Sequence, residues 1–483
     1  MFSKLPAPII LWFRQDLRLS DNPALEEAVK SGHPVIPVYI LDDETPGDWK
    51  PGGASRWWLH HSLKALAGQL EDLGSRLILR SGPAGHVLAD LVENTGAACI
   101  FWNRCYEPFH CERDASIKST FTDKGLTVRS FNANLLAEPW TVKNKSGDPF
   151  KVFSPFWRAV RAELDPGKPL KTPDSLNAPQ SWPDSDRLEE WALLPTSPNW
   201  AKGFEDIWTP GESGARDRLD RFLENGAKHY ADGRDRPDKA YTSGLSPHLH
   251  FGEISPRQIF AATDRVRDSI GDRNAEKFFS EIGWREFSYS LLFNFPDFPH
   301  QNYQSKFDHF PWREDSDALS AWQRGQTGYP IVDAGMRELW ATGTMHNRVR
   351  MIVASFLIKH LMIDWREGEK WFWDTLVDAD LANNSASWQW VAGSGADAAP
   401  YFRIFNPITQ GEKFDPNGDY VRKWVPEIAR LPDKYLNQPW EAGPLILKEA
   451  GVKLGDTYPE PIVDHKAARE RALDAFKSLK ETA

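Results

Sequence analysis

The residues best suited to chemistry lie in one stretch near the C-terminal end of the chain, residues 345–407. Apolar side chains recur at helical spacing in the first half of this stretch, which predicts a helix with one buried face. Asn347, Arg350 and Met351 lie three and four residues apart, so they share one patch of that helix. Acidic, amide, indole and guanidinium groups follow: Asp378, Asp380, Asn384, Trp388, Trp390 and Arg403. A helix that only packs would not combine so many tryptophans with so many polar groups, so the stretch is predicted to be a site.

Two earlier segments add candidate groups. The run Tyr241–Pro247 gathers hydroxyls, a glycine and a new helix N-terminus, whose free donors suit a pyrophosphate, although an ordinary Ser/Thr cap is the alternative. One face of a second predicted helix carries a ring, an acid, an indole and a guanidinium: Phe278, Glu281, Trp284 and Arg285. That face is either a ligand pocket or a buried ion pair. Because buried pairs are seldom stabilising by themselves, we favour the pocket.

These groups together suit a large, planar, phosphorylated ligand. Donors would hold its phosphates, carboxylates and amides would read a heteroaromatic ring, and indoles would pack around it. FAD fits this description better than ATP because the chain has no P-loop and no catalytic Asp/Lys set.

The elements that must position these groups begin with an alternating region. Residues 1–134 alternate strand-like apolar runs with helical patterns, which predicts a doubly wound α/β domain with a parallel sheet. No G-x-G-x-x-G follows its first strand, so a nicotinamide dinucleotide is not expected there. The turn after that strand carries a charged cluster, Arg14 to Arg18, which we interpret as a salt-bridged loop against the second domain.

The rest of the chain divides into a connector and a helical domain. Residues 135–203 are rich in proline, which excludes long helices and predicts a connector draped over the surface. In residues 204–483 strand signals almost vanish and amphipathic helical patterns dominate. Ser246-Pro247 and Ser255-Pro256 each resemble an N-cap followed by proline at the first helical position. The fold class is therefore an α/β domain followed by a larger all-α domain.

Composition narrows the class of protein. The chain has 483 residues, of which 41% are hydrophobic and 26% charged, as in an ordinary soluble globular protein. Its net charge of −10 opposes bulk attraction to nucleic acid but permits a local basic groove.

Cys99, Cys105 and Cys111 fit a reducing cytosol, and their spacing matches no common zinc pattern, so no metal is expected. No apolar run could span a bilayer, and the N-terminal run is interpreted as a strand rather than a signal peptide. The 22 tryptophans indicate either heavy packing or a redox or stacking role.

Short motifs occur in order along nearly the whole chain. They are W-F-R-x-D-L-R at Trp12, T-S-G-L-S at Thr242, W-R-E-F at Trp284, T-G-Y-P-I-V-D at Thr327, M-H-N-R at Met345, D-W-R-E-G at Asp364, D-L-A-N-N at Asp380, W-Q-W at Trp388 and Y-F-R-I-F-N-P at Tyr401. In these motifs the chain resembles the photolyase/cryptochrome flavoprotein family, and within it the bacterial cyclobutane pyrimidine dimer photolyases.

The resemblance implies which residues hold FAD. Those implied for its phosphates and ribityl chain are Tyr230, Thr242, Ser243, Gly244, Leu245 and Ser246. Those implied for the isoalloxazine and adenine are Phe278, Arg285, Asn347, Arg350, Asp378 and Asp380. Asn384 is implied to face flavin N5, where an amide tolerates the reduced anionic flavin that repair requires. Plant cryptochromes typically carry Asp at that position, so the sequence leans towards repair.

The resemblance also implies roles towards the substrate. Glu281 would hydrogen-bond the carbonyl edge of the dimer and stabilise charge that appears only after electron injection. Met351 would contact the dimer, and Trp284 and Trp390 would pack against its bases. Six-four photolyases and animal cryptochromes carry a histidine in the region of Asn347 and Met351, so their chemistry is disfavoured here.

Further residues match the family's electron chain, DNA rim and antenna site. Trp388, Trp365 and Trp312 match the chain that carries an electron from the surface to the flavin, with core packing as their alternative role and Trp340 as a side branch. Arg234, Arg348 and Arg403 match the basic rim that grips DNA phosphates. Glu107 matches a residue that contacts a folate antenna, and a deazaflavin or an empty pocket is the alternative. Phe278, Gly244 and Thr344 depart from the best-known bacterial pattern, which leaves the photolyase subclass open.

The resemblance implies a light-driven repair enzyme. Reduced FAD, excited by blue or near-UV light, would donate an electron to a cyclobutane pyrimidine dimer, the ring would split, and the electron would return. We expect UV-damaged DNA as the partner, no membrane, a monomer, and a place in the bacterial cytosol or nucleoid. Two alternatives remain, a cryptochrome photoreceptor that signals without repair and a DNA-binding or structural protein with a vestigial flavin. Asn384, Glu281 and the lack of a long C-terminal extension argue against the photoreceptor.

Overall fold

The computed structural model of the protein describes residues 6–481. The chain forms two compact units. The first comprises Met1–Lys228 with Ser243–Pro296, and the second comprises His229–Thr242 with Asp297–Ala483. In the part of the chain that the structure describes, no helix is both long and apolar enough to cross a membrane.

Five strands form a parallel sheet in the first unit: β1 Ile9–Phe13, β2 Val35–Leu41, β3 Ile78–Ser81, β4 Cys99–Asn103 and β5 Thr127–Phe131. Their order in the sheet is β3-β2-β1-β4-β5, so the chain starts in the middle and winds outward to both edges. Every residue of β1 is buried, as expected for a central parallel strand. The helices interspersed with these strands are Pro23–Lys30, Gly53–Asp72, Ala84–Thr95 and Pro108–Asp123. The predicted doubly wound α/β domain is confirmed.

The charged turn after β1 is held by ion pairs and hydrogen bonds. Arg14 pairs with Asp114 at 2.6 Å, and the buried Arg18 donates hydrogen bonds to the carbonyl oxygens of Gly252 and Ala133 at 2.7 and 2.9 Å. Asp21 accepts from Arg257 at 3.1 Å. The ion pair of the turn itself is therefore with Asp114 of the α/β region, and its contact with residue 252 is a hydrogen bond to a backbone carbonyl. The interpretation as a salt-bridged loop against a second domain stays a prediction.

The proline-rich segment predicted as a connector contains one regular helix, Phe153–Glu163. That helix tolerates Pro155 because the proline lies in the first turn, where no intrahelical N–H bond is lost. The remainder is irregular apart from the 3-10 turn Leu188–Trp191 and runs beside the sheet, where the N–H of Val35 donates to the carbonyl of Asn177. The exact domain boundaries stay a prediction.

The remaining helices of the first unit are Glu212–Arg221, which continues into the π-helix Phe222–Gly226, and Ser246–His250, Pro256–Arg265, Arg267–Ile270 and Asp272–Asn294. Ser255 caps its helix in a capping box with Gln258, as predicted. The predicted N-cap at Ser246 is wrong, since that helix begins at Ser246 itself and its N-cap is Leu245, which has no side-chain acceptor. The long helix ends at Asn294, two residues before Pro296, as proline disfavours helical conformation in the residue before it.

The second unit is helical. Its α-helices are Tyr230–Gly233, Ser316–Gln323, Pro330–Thr342, Asn347–Ser355, Trp365–Thr375, Leu381–Ala392, Pro407–Phe414, Asp419–Trp424, Asp433–Leu436, Pro444–Ala450 and His465–Glu481. Its core contains Val349, Ile352 and Val353 of the predicted site helix together with Trp365 and Trp388. The described residues of this unit contain no β-strand, which confirms the predicted all-α domain.

Candidate functional site

The predicted site helix runs from Asn347 to Ser355 and continues as the π-helix Phe356–Leu361. The side chain of His346 caps it by accepting the N–H of Arg348 at 3.2 Å. Val349 and Ile352 point into the core, whereas Asn347 is exposed and Met351 is half-buried. The predicted division into a buried face and an accessible polar patch is therefore confirmed.

Arg350 and Asp378 form an ion pair in which a single guanidinium nitrogen contacts both carboxylate oxygens. One terminal nitrogen of Arg350 lies 3.0 and 2.9 Å from the two carboxylate oxygens of Asp378. The Nε of Arg350 also donates to the carbonyl of Met345 at 2.7 Å. Because two different nitrogens of the guanidinium are bound to separate partners, its orientation is fixed. Two residues predicted for flavin recognition are thus brought together and held in one orientation.

Asp380 and Asn384 open the Leu381–Ala392 helix. Asp380 is the N-cap, and its side chain accepts the N–H of Asn383 at 2.9 Å. Asn384 lies in the first turn, where its side-chain Nδ2 donates to the carbonyl of Glu369 at 3.0 Å. Among the described residues, none donates a hydrogen bond to the Oδ1 of Asn384. That bond therefore fixes the amide orientation and leaves its oxygen as an acceptor.

Glu369 is a buried acid that sequence reasoning missed. It is 1% exposed, and its carboxylate accepts the hydroxyl of Ser385. Burial raises the pKa of Glu369 to about 8, because the charged form loses its hydration there. The acid beside Asn384 is therefore mostly neutral near pH 7. Glu369 and Glu367 both belong to the D-W-R-E-G-E run, so the sequence alone does not separate them. The structure does, because Glu369 is buried and Glu367 is exposed.

Trp388 lies in the core of the second unit. Its ring packs edge-on against Phe372 at 5.0 Å and against Trp322 at 6.3 Å. Gly368 is required beside it, since a Cβ at that position would lie 2.1 Å from the Trp388 ring. Trp322 is a buried indole that sequence reasoning did not single out, and no motif marks it.

The other tryptophans of the predicted electron chain have distinct surroundings. Trp365 donates its indole N–H to Asn302 at 3.0 Å and lies under the guanidinium of Arg366 at 4.6 Å. Trp312 is partly buried and packs against Phe310 at 4.4 Å. All three tryptophans of the predicted chain belong to or pack against one core cluster.

Trp340, the predicted side branch, is 52% exposed. It stacks on Trp371, with the two ring centroids 6.0 Å apart. Trp390 is half-buried and packs against the core cluster that contains Trp388.

The three predicted rim arginines are held in different ways. Arg348 pairs with Asp235 at 2.9 Å. Arg234 lies 5.6 Å from the ring of the buried Tyr230. Arg403 is exposed, and its backbone carbonyl accepts a hydrogen bond from the buried Lys359 at 3.0 Å.

In the first unit, the Asp272–Asn294 helix carries the predicted mixed face. Phe278 is buried against Phe222, with ring centroids 4.7 Å apart. Glu281 is half-buried and pairs with Lys277 at 3.1 Å. Trp284 stacks flat on Phe153, with centroids 3.8 Å apart. One ring face of Trp284 is therefore covered by the protein itself.

Arg285 and its neighbour Glu286 hold the start of the predicted connector. Arg285 donates to the carbonyl of Asn134 at 2.7 Å. Glu286, which sequence reasoning missed, accepts the N–H groups of Leu136 and Ala137 at 2.9 and 3.2 Å. Burial raises the pKa of Glu286 to about 7.

The loop Ser243–Ser246 lies against Arg218 of the Glu212–Arg221 helix. Gly244 adopts a left-handed φ of +61°, and a Cβ there would lie 2.7 Å from Nη1 of Arg218. The same guanidinium stacks over Trp208 at 4.2 Å. Thr242, the first residue of the motif, belongs to the second unit and is exposed.

Glu107 lies in a cluster with Cys105 and His110 whose ligand atoms are all within 4.8 Å of one another. Glu107 accepts from Gln15 at 2.6 Å and contacts His110 Nδ1 at 3.0 Å. Burial would raise the pKa of Glu107, but the hydrogen bonds from His110 and Gln15 hold it well below its usual value. These bonds satisfy the carboxylate without a metal ion. An open cleft of about 190 Å³ lies beside the cluster, lined by residues that include Tyr106, Lys118 and Trp140.

Two family models match the chain. Residues 9–174 match the model described as DNA photolyase, and residues 278–478 match the FAD binding domain of DNA photolyase. The chain is 58% identical over 476 residues to a deoxyribodipyrimidine photo-lyase of Agrobacterium fabrum, a match that covers 99% of each chain. It is 41% identical to Cryptochrome-1 of Arabidopsis thaliana, over 97% of this chain and 70% of that protein.

A solved structure is also similar. The crystal structure of a bacterial class III photolyase from Agrobacterium tumefaciens matches with a TM-score of 0.97 and 57% identity, over 100% of this chain and 99% of that one. In sequence, the chain is therefore similar to proteins that carry both kinds of name, and in fold it is similar to a photolyase.

Proposed function

The chain belongs to the photolyase/cryptochrome family and carries its FAD-binding domain, and we propose that it is a light-driven DNA repair enzyme, a deoxyribodipyrimidine photo-lyase. Its substrate would be a cyclobutane pyrimidine dimer in UV-damaged DNA. The observation that carries this proposal is the Asn384 amide, whose nitrogen is bound to the Glu369 carbonyl and whose oxygen is left as an acceptor. An acceptor suits the N5–H of a reduced flavin, which is the state that repair needs.

The residues of the chain fit FAD in their chemistry. The amide and acidic groups Asn384, Asp378 and Asp380 suit the polar edges of the flavin and adenine, and Arg350 is held by its ion pair with Asp378. The residues proposed to hold FAD are Tyr230, Thr242, Ser243, Gly244, Leu245, Ser246, Phe278, Glu281, Arg285, Asn347, Arg350, Asp378, Asp380 and Asn384. When bound, reduced and excited by blue or near-UV light, FAD supplies the electron that splits the dimer.

Glu369 contributes to the site by being neutral. Because burial raises its pKa to about 8, it places little negative charge beside Asn384 near pH 7. A negative charge there would oppose an anionic reduced flavin. Asn384 would thus meet the flavin with a fixed amide oxygen and a neutral acid behind it.

Glu281 would act on the dimer itself. Its carboxylate is half-buried and paired with Lys277, so it is held on the accessible side of its helix. A group fixed in advance at the point where charge develops stabilises that charge without reorganising during the reaction. Met351, Asn347 and the indoles of Trp284 and Trp390 would contact the dimer bases.

Arg234, Arg348 and Arg403 would bind the phosphates of DNA. The ion pair with Asp235 holds Arg348, and the bond from Lys359 holds the backbone of Arg403. Because phosphate contacts release counterions, affinity for DNA should fall with salt even though the net charge of the chain is −10.

Trp388, Trp365 and Trp312 would carry an electron towards oxidised FAD, which is the route by which light restores the reduced state. Their place in one core cluster supports this assignment. Core packing is the alternative role that explains the same burial. Trp340, stacked on Trp371 at an exposed position, would offer a side branch.

We further propose a second, light-harvesting chromophore in the α/β domain, a folate, with a deazaflavin as the alternative. The cleft lined by Tyr106, Lys118 and Trp140 offers aromatic and cationic groups to a planar anionic ligand. Glu107 lies beside this cleft, but its carboxylate is already hydrogen-bonded to Gln15 and His110. A direct contact from Glu107 to the antenna would therefore require one of these bonds to open.

The proposed domains are an antenna domain at 1–134, a connector at 135–203 and an FAD-binding catalytic domain at 204–483. We propose a monomer that acts in the bacterial cytosol or nucleoid.

A cryptochrome photoreceptor is the second candidate, favoured by the 41% identity to a plant cryptochrome. Light-dependent repair distinguishes the two. Purified protein with reduced flavin, incubated with DNA that contains thymine dimers, should restore thymines under blue light and leave them unchanged in the dark. Flavin binding without repair would favour the photoreceptor, and a colourless protein that binds no FAD would exclude both.

A further inference from the structure

Arg218 is a half-buried cation that has no anionic partner among residues 6–481. Its Nη2 donates to the carbonyl of Ile207 at 2.6 Å, and its guanidinium stacks over Trp208. No carboxylate lies within ion-pair distance of it in the part of the chain that the structure describes. Arg216 on the same helix differs, since it is mostly exposed and pairs with Glu212 at 2.9 Å. Burial, with help from the charge of Arg221, lowers the pKa of Arg218 to about 10, so its surroundings disfavour the positive charge.

The unpaired guanidinium lies against a loop that has no charge of its own. The five residues of T-S-G-L-S carry hydroxyl, hydrogen or leucine side chains. Gly244 is needed at their centre both for its left-handed φ and because a Cβ there would lie 2.7 Å from Nη1 of Arg218. The guanidinium therefore occupies the space that a side chain at position 244 would fill. The fold therefore places the guanidinium of Arg218, on the Glu212–Arg221 helix, against this loop.

We propose that Arg218 is an FAD-binding residue whose guanidinium neutralises the diphosphate held by the Ser243–Ser246 loop. This assignment rests on the proposed function, because FAD supplies the diphosphate. Nη2 is already bonded to Ile207, which leaves Nη1 and Nε of the guanidinium as donors for phosphate oxygens. The bound diphosphate would be the counter-ion that the described residues do not provide, and Gly244 leaves room for the guanidinium to approach the loop.

The test compares FAD affinity in three full-length variants. Arg218→Gln removes the charge, Arg218→Lys keeps it without the planar fork, and Arg216→Gln removes a neighbouring charge that already has a partner. The dissociation constant is measured by quenching of flavin fluorescence. The melting temperature of each flavin-free chain is recorded beside it.

We expect Arg218→Gln to bind FAD about tenfold more weakly, as for a lost hydrogen bond to a charged group. Arg216→Gln should stay within about twofold of the parent chain, and Arg218→Lys should fall between them. The dependence of affinity on salt between about 0.05 and about 0.5 M NaCl should also be shallower in Arg218→Gln, because one screened attraction is gone. The melting temperature of flavin-free Arg218→Gln should not fall, since relief of an unpaired half-buried charge offsets the lost stacking on Trp208.

Unchanged FAD affinity in Arg218→Gln would overturn the assignment and leave Arg218 as a residue that only stacks on Trp208. A loss of affinity that comes with a lower melting temperature, or that Arg216→Gln shares, would overturn it as well. A parent chain that binds no FAD would refute the proposed function itself.

Discussion

Replacing Glu369 by glutamine tests whether the acid beside Asn384 is neutral in the folded protein. In the unfolded chain this carboxyl ionises near its ordinary pKa of 4.5, whereas burial raises the pKa to about 8 in the fold. The folded state thus holds the proton more tightly. The stability due to this group is fully present below pH 4.5 and is lost as pH rises to about 8. At about 1.4 kcal/mol for each tenfold change in protonation, the loss over that interval is at most about 5 kcal/mol.

Glu369→Gln cannot ionise, and its amide can still accept the hydroxyl of Ser385. The parent chain should therefore lose stability relative to the variant as pH rises. The free energy of unfolding of both flavin-free chains is measured in urea at about pH 5, about pH 7 and about pH 9. We expect the difference between them to change by several kcal/mol in favour of the variant.

Glu286→Gln is the matched control. The pKa of Glu286 is raised only to about 7, so the same comparison should give a change of at most about 3 kcal/mol that is complete by about pH 7. Parallel pH curves for the parent chain and Glu369→Gln would show that Glu369 is ionised in the fold, and the argument for a neutral acid behind the flavin would be refuted.

Three further substitutions test the proposed chemistry. Glu281→Ala should lower the quantum yield of dimer repair several-fold while FAD stays bound, because a fixed charge-stabilising group is lost, and equal yields in both proteins would refute the role. Trp388→Phe should block photoreduction of oxidised FAD, followed by its absorption spectrum, yet spare repair by chemically reduced protein; retained photoreduction would indicate another electron route. Asn384→Asp should shorten the lifetime of the reduced flavin in air, since a carboxylate replaces the amide bound to the Glu369 carbonyl, and an unchanged lifetime would count against the assignment.

The elements that position the site were predictable because their buried residues are apolar and follow the pattern of a central strand or of one helix face. The central strand β1 is buried along its whole length, and its apolar run marked it. Val349, Ile352 and Val353 follow one face of the site helix, as their spacing indicated. Ser246 was mistaken for an N-cap because serine before proline is equally compatible with the cap and with the first helical residue, and only backbone geometry separates the two.

Partners distant in the sequence could not be predicted. Asn384 is recognisable from its motif, but its bond to Glu369 depends on how two helices pack. Arg218 lies on the Glu212–Arg221 helix, whereas Gly244 lies in a loop 26 residues later in the sequence. No periodic pattern in the sequence connects the two residues. Arg285 was expected in a pocket, yet the carbonyl it binds belongs to Asn134, 151 residues away. In each case the residue type was visible and the tertiary contact was not.

The most direct test of repair is a single illumination experiment. Protein with fully reduced FAD is mixed with an excess of an oligonucleotide that contains one thymine dimer, and the restored thymines are counted by chromatography after blue light. We predict several dimers repaired per protein molecule in the light and none in the dark. Dimers that stay intact under illumination, beside flavin shown by its absorption to be reduced and bound, would contradict the proposed activity.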